Sequence, residues 1–311
     1  MMIEQNLAAE PRRTEPPVVV GVGTDEVEAA LRFAVDEAVR AGCAVHLVHV
    51  VPVVPLGSEL ALTSAEELDK LGTETLALAG ERAELLADGR VPVVRELRRG
   101  PVVPGLVAAA RDARTVVLEH RHASRFGRAV TRTTAGGVAA QTEVPVVAVP
   151  SGWVPPVADR VVVAGVDAPI RASEVLRAAA ARVARGGSSL RVVHAWSLPA
   201  PYERLHADTA EDRRWGQRAR AEIRAALDEI ADGHGTIPAD VWAHRGRAID
   251  ALLEASDGAE LLVVGRHDPY VAIGSHIGPV ARAVLHEATC PVLLAAPTKR
   301  HHRTGASTTR G

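Results

Sequence analysis

The densest run of ligand-holding side chains in this sequence is His120, Arg121, His122, Arg125, Arg128 and Arg132-Thr133. Guanidinium groups grip phosphates and carboxylates through paired donors, so a run of this kind could hold an anionic ligand through side chains. The other reading is a solvated, arginine-rich surface loop. Of 36 basic residues only Lys70 and Lys299 are lysine, and the arginines are spread over the whole chain. That spread marks genomic base composition rather than a binding signal. A nucleic-acid reading of the run predicts strong salt dependence and sensitivity to Arg125 and Arg128.

Other constellations carry less chemistry. His46 and His49 stand three apart in an apolar run, which puts them on opposite faces of a strand and prevents both from ligating one metal. His301-His302 lies in a small polar tail. Gly274-Ser275 lacks the first glycine of a nucleophile elbow, because Ile273 occupies its place, and no base is paired with it. Ser275-His276-Ile277-Gly278 lacks the second histidine of a synthetase-like signature. The two cysteines, Cys43 and Cys290, fit no disulfide framework and suggest a reducing compartment. No catalytic residue and no metal site is expected.

The elements that must position any site are written twice. Val18-Val19-Val20-Gly21-Val22 opens one copy and Val161-Val162-Val163-Ala164-Gly165-Val166 the other; Pro145-Val146 and Pro291-Val292 close them. Arg99-Gly100 and Arg245-Gly246 precede the closing prolines by the same interval. Each copy is long enough to bury its own core. Continuous β-branched runs predict strands covered on both faces. After the first strand, Val27, Leu31, Ala34, Val35, Ala38 and Val39 give a helix stopped at Gly42, and Val175, Leu176, Ala179, Ala180 and Val183 one stopped at Gly186-Gly187. Second strands are expected at 44–51 and 190–196, third at 91–97 and 237–243, fourth at 115–118 and 260–264. Ser64 with Glu67 has the spacing of a capping box, and Trp215, Ala219, Ile223, Ala226, Leu227 and Ile230 predict a buried helical stripe. Five strands alternating with helices predict an α/β fold, a doubly wound parallel sheet with ligands beyond the carboxyl ends of its strands.

These residues resemble the universal stress protein family in tandem form. The Val-Gly-Val end of strand one, the Arg-Gly landmark, Leu261-Leu262-Val263-Val264-Gly265 and Cys290-Pro291-Val292 carry the resemblance together. It implies two Rossmann-like, HUP-like domains, each a five-stranded parallel sheet flanked by helices, whose fifth strands pair near Val146 and Val292. ATP-binding members of the family carry GxxG, nine residues, then Gly-Ser or Gly-Thr, with an aspartate closing strand one. In copy two, Asp167, Gly265 and Gly278 match, His267 could still reach a ligand, but Asp268 and Pro279 replace the second glycine and the hydroxyl residue. A carboxylate beside phosphates and a proline without an amide hydrogen both oppose anion binding. Asp167 reads equally as a helix or turn cap. In copy one, Gly23, Glu119, His122 and Arg132 stand where the aspartate and the three glycines would be, and only Thr133 survives.

The composition bounds the rest. With 47% hydrophobic residues, 3% aromatic and a formal charge of -2, no global field draws the chain to nucleic acid or membrane. The N-terminal stretch has no apolar h-region, and no apolar run approaches the ~20 residues of a membrane span. The expected organisation is a disordered leader at 1–17, domains at 18–150 and 151–298, and a disordered basic tail at 299–311. The expected function is a non-enzymatic, cytoplasmic stress-response protein, an intramolecular pseudo-dimer or a homodimer of such chains, acting on a protein or small-molecule partner. No cofactor is expected, ATP binding being weak if present, and a nucleic-acid partner is disfavoured.

Overall fold

The computed structural model describes residues 15–25, 27–53, 59–120, 134–168, 172–197, 210–231, 237–266 and 277–296. Copy one runs β1 (Val18–Gly21), α1 (Glu28–Ala41), β2 (Val45–Val51), α2 (Glu59–Ala87), β3 (Val93–Arg99), α3 (Val102–Ala109), β4 (Thr115–His120), α4 (Thr134–Ala139) and β5 (Val146–Pro150). Copy two runs β6 (Val161–Gly165), α5 (Ser173–Gly186), β7 (Ser189–Trp196), α6 (Ala210–Ala231), β8 (Ala239–Arg245), α7 (Ala248–Ser256), β9 (Leu261–Val264), α8 (Pro279–Glu287) and β10 (Val292–Leu294). The strands form one ten-stranded sheet in the order β3-β2-β1-β4-β5-β10-β9-β6-β7-β8. Within each copy every pairing is parallel, with Gly21 opposite Val48 and Leu118, and Gly165 opposite Val193 and Val264. The copies meet at the one antiparallel pairing, Val292 to Ala148 and Leu294 to Val146.

Alternation along the strands divides the core between two faces. Val18 and Val20 join Leu31, Phe33, Leu176 and Ile223 on the side of α1, α2, α5 and α6. Val19 joins Leu106, Val138, Leu252 and Val284 on the side of α3, α4, α7 and α8. The predicted helix stops hold: Gly42 and Gly187 adopt φ 65° and 67°. A Cβ at Gly21 would meet Leu118 and Leu106, and one at Gly165 would meet Leu252 and Val264. These glycines let the strand ends pack against α3 and α7.

Three local readings change. The third strands sit two residues further on than predicted and end on the landmark arginines, with the Gly100 and Gly246 amides donating the last backbone hydrogen bonds, to the carbonyls of Val51 and Trp196. Helix α2 begins at Glu59, so position 64 lies inside it and not at its N-cap. In α6 the buried line runs through Gly216, Ala219, Ile223 and Leu227, while Trp215 is 62% exposed. The close approach of Gly216 to the Trp196 ring fixes that rotation.

Cys43 and Cys290 are both free and buried. Burial raises the Cys43 thiol and pushes Cys290 up to about 12. Thiolate is the reactive form, so Ellman's reagent at pH 8 is expected to read no thiol in the native chain and both thiols after denaturation.

Candidate functional site

At the carboxyl ends of β1, β2 and β4 lies a cavity of about 460 Å³ in copy one. Its walls are mainly apolar, from Val22, Val48, Val50, Leu68, Leu106 and Leu118, and its polar groups include Asp25, His49, Glu119, Thr134 and Ser151. This is the crevice expected of the fold, and its size suits a small molecule.

Glu119 brings a carboxylate to that crevice. It extends from the end of β4, and its Oε2 accepts a hydrogen bond of 3.1 Å from the backbone amide of Ala30 in the first turn of α1. No side chain of its own caps that helix. The first amides of a helix carry unsatisfied donors and a partial positive charge, which makes them the natural seat of an anion. In copy one a carboxylate of the chain sits there. A phosphate brought within ~4 Å of it would meet a repulsion between ~1 kcal/mol in water and ~4 kcal/mol in a partly screened site.

His49 lies below, 7% exposed. Its Nδ1 is 2.8 Å from the Val22 carbonyl oxygen, and His194 repeats the contact at 2.9 Å to Val166. A carbonyl only accepts, so Nδ1 carries the proton in both rings and the neutral tautomer leaves Nε2 as an acceptor. The pair is a duplicated bolt between the second strand and the loop after the first. His46 turns the other way, with Nε2 2.9 Å from Glu96 Oε2. The landmark arginines also repeat: Arg99 grips Asp69 of α2 through a forked contact, and Arg245 lies 3.6 Å from Asp212 of α6. Their repetition marks them as parts of the fold.

In copy two, Asp167 and Gly265 follow the ends of the adjacent strands β6 and β9. Asp167 is exposed, and its Oδ1 accepts from the neighbouring Ala168 amide at 2.7 Å. Gly265 is exposed, and a Cβ there would lie 3.4 Å from Val175 of α5, whereas Gly278 is the buried N-cap of α8 in extended conformation. Pro279 occupies the first helical position, where its ring suits the helix and removes one amide donor from the cradle. His267, Asp268, Arg121, Arg125, Arg128, Arg132 and Thr133 lie outside the described residues. Among the described residues no cluster of His, Cys, Asp or Glu could hold a metal, and no helix is long and apolar enough to cross a membrane.

The residue after Gly265 is one that sequence reasoning passed over. Arg266 crosses to copy one, where Nη1 donates to the carbonyl oxygens of Ala139 at 2.8 Å and Thr142 at 2.5 Å, and Nη2 to Val144 at 2.6 Å. Burial lowers its guanidinium to about 10. The start of the candidate loop in copy two is thereby tied to the end of α4.

Known proteins agree with this architecture. The pattern of the universal stress protein family matches residues 16–150 and again 159–296. A universal stress protein of Mycobacterium tuberculosis is 28% identical over 295 residues, taking in 91% of this chain and 98% of the relative. One from Mycolicibacterium smegmatis is 29% identical over 297 residues, with 91% and 98% covered. Among solved structures, a universal stress protein of Archaeoglobus fulgidus shares the fold at TM-score 0.66 and 17% identity, over 89% of this chain and 98% of that one. With both copies matched and the sheet continuous between them, the chain belongs to the universal stress protein family, in its tandem form.

Proposed function

We propose that this chain is a non-enzymatic universal stress protein in which both nucleotide loops are degenerate, and that it acts in the cytoplasm by binding a partner or a ligand without turnover. The observation that carries the reading is the Glu119 carboxylate on the Ala30 amide. It gives the crevice of copy one an internal anion at the position where the family's phosphate loop would begin with a glycine. Copy two supports the same reading through Pro279 at the first position of α8 and Asp268 eleven positions earlier in the sequence. Losing one cradle contact of this kind costs ~1–3 kcal/mol, so two losses lower affinity by orders of magnitude.

Calorimetric titration with ATP, together with mass analysis of nucleotide carried through purification, tests this. The expected result is no co-purified nucleotide and no binding at micromolar concentrations. Micromolar ATP binding by the unmodified chain would instead establish an ATP-binding member acting through copy two. In the converse direction, Asp268→Gly with Pro279→Ser is expected to recover binding in copy two; no recovery would mean that the pocket itself is closed.

A further inference from the structure

Helix α2 turns an ordered pattern toward solvent. Its buried line is Gly72, Leu76, Ala79, Gly80, Ala83 and Ala87. Opposite that line stand Glu67, Leu71, Glu74, Leu78, Glu81, Leu85 and Asp88, separated alternately by four and three residues. On a helix this spacing aligns Glu67 to Leu85 in one stripe of alternating acid and leucine, and Asp88 follows just past the helix end. The leucines are 50%, 68% and 72% exposed, and the four acids are exposed as well. None of these acids pairs with a described basic residue, whereas Asp69 and Glu84 beside them are taken by Arg99 and Arg95. Arg82, the one arginine in the middle of α2, turns away to Glu28 of α1 through two hydrogen bonds.

The duplication supplies an internal control. Gly72 and Gly216 both face the end of the second strand, meeting Val51 and Trp196, which places α2 and α6 in register. In that register α6 carries Trp215, Glu222 and Glu229 where α2 carries its three leucines, and Arg218 and Ala225 where α2 carries Glu74 and Glu81. Arg218 closes that face with a 2.9 Å ion pair to Glu222. The fold therefore has no need of the leucine stripe, since the same helix in the same role does without it.

We propose that the stripe on α2 is a docking face for a basic amphipathic helix of a partner protein. Leu71 to Leu85 spans about 21 Å at the α-helical rise, the length of about four turns of a partner whose apolar residues lie on the leucines and whose arginines or lysines meet the acids. Charge selects this occupant. A second copy pairing through the same stripe would set acids against acids. The chain's own basic tail, 299–311, contains no leucine, isoleucine, valine, methionine or aromatic residue to cover the leucines.

The test uses the full chain and two dye-labelled helical peptides with one leucine pattern, flanked by arginine in the first and by glutamate in the second. Fluorescence anisotropy is expected to show the arginine peptide binding at least about tenfold tighter. Leu78→Ser with Leu85→Ser should weaken it by about tenfold or more at unchanged melting temperature. Glu74→Lys with Glu81→Lys should reverse the preference between the peptides, which unfolding cannot mimic. Equal binding of both peptides, or binding indifferent to these variants, overturns the proposal. So does a concentration-dependent dimer in sedimentation that the leucine variant dissolves, which would assign the stripe to a second copy.

Discussion

Arg182→Ala is expected to lower the free energy of unfolding by about 3–5 kcal/mol, read by urea denaturation at neutral pH. Arg182 is 5% exposed on α5 and faces α1 of the other copy. Its guanidinium bonds Glu260 at 2.6 Å and Asp36 at 2.9 Å, is joined to Glu37, and lies 5.2 Å from the Phe33 ring. Glu260, 1% exposed, also accepts from Arg40 at 3.1 Å and from Ser188. Removing Arg182 leaves three carboxylates short of their shared cation, two of them, Glu260 and Glu37, largely shut off from water. A buried ion cluster need not stabilise relative to an apolar core, so the large loss is that of breaking the cluster rather than of lacking it. Arg182→Met, which keeps the volume and drops the charge, should therefore lose nearly as much as alanine.

The same cluster fixes a pH dependence. Burial pushes the Glu260 carboxyl up, but the Ser188 hydrogen bond and the Arg182 and Arg40 guanidiniums outweigh it and hold the group below its ordinary 4.5. A carboxyl depressed in the folded state contributes stability above its unfolded value, and that contribution is lost as pH falls through the folded value. Melting temperatures followed from pH 7 to 3 should drop below about pH 4.5, and Glu260→Gln should flatten that part of the curve. An unchanged acid limb in Glu260→Gln would mean that other carboxylates govern acid unfolding.

What could be read in the sequence follows the range of the forces involved. Val18-Val19-Val20 and Val161-Val162-Val163 announced buried parallel strands because β-branched runs and the glycines after them are local signals. Gly42 and Gly187 announced helix ends for the same reason. Trp215 misled because its hydrophobicity favours burial, while rotation of α6 is set by Gly216 against Trp196, a contact between elements far apart in sequence. Glu119 was visible as a lost glycine, but its bond to Ala30 spans 89 positions. Glu260 was legible only as the start of a strand, and its partner Arg182 lies 78 positions away. The rest of the cluster, Asp36, Glu37 and Arg40, comes from copy one, and only assembly of the two copies across the seam of β5 and β10 brings it to them.

Arg266→Ala is expected to cost about 2–4 kcal/mol, again by urea denaturation. Three charge-assisted hydrogen bonds of ~1.5–3 kcal/mol each set the upper bound, and the desolvation that lowers the guanidinium to about 10 works against them. Burial of an arginine with no carboxylate partner among the described residues persists because its planar fork supplies donors to the carbonyls of Ala139, Thr142 and Val144 together. Lysine has one nitrogen and cannot span them, so Arg266→Lys should recover only part of the loss. Arg266→Met separates packing from hydrogen bonding: if it matches the parent chain, the fork does not hold the seam. Hydrogen exchange near β5 should rise in Arg266→Ala if the lost contact loosens that boundary. The position also bears on ligand binding, because Arg266 directly follows Gly265, where the family's phosphate loop would begin. A residue held in the seam by three carbonyls of the other copy fixes the start of that loop, so any ligand that reshapes it must work against the joint between the domains.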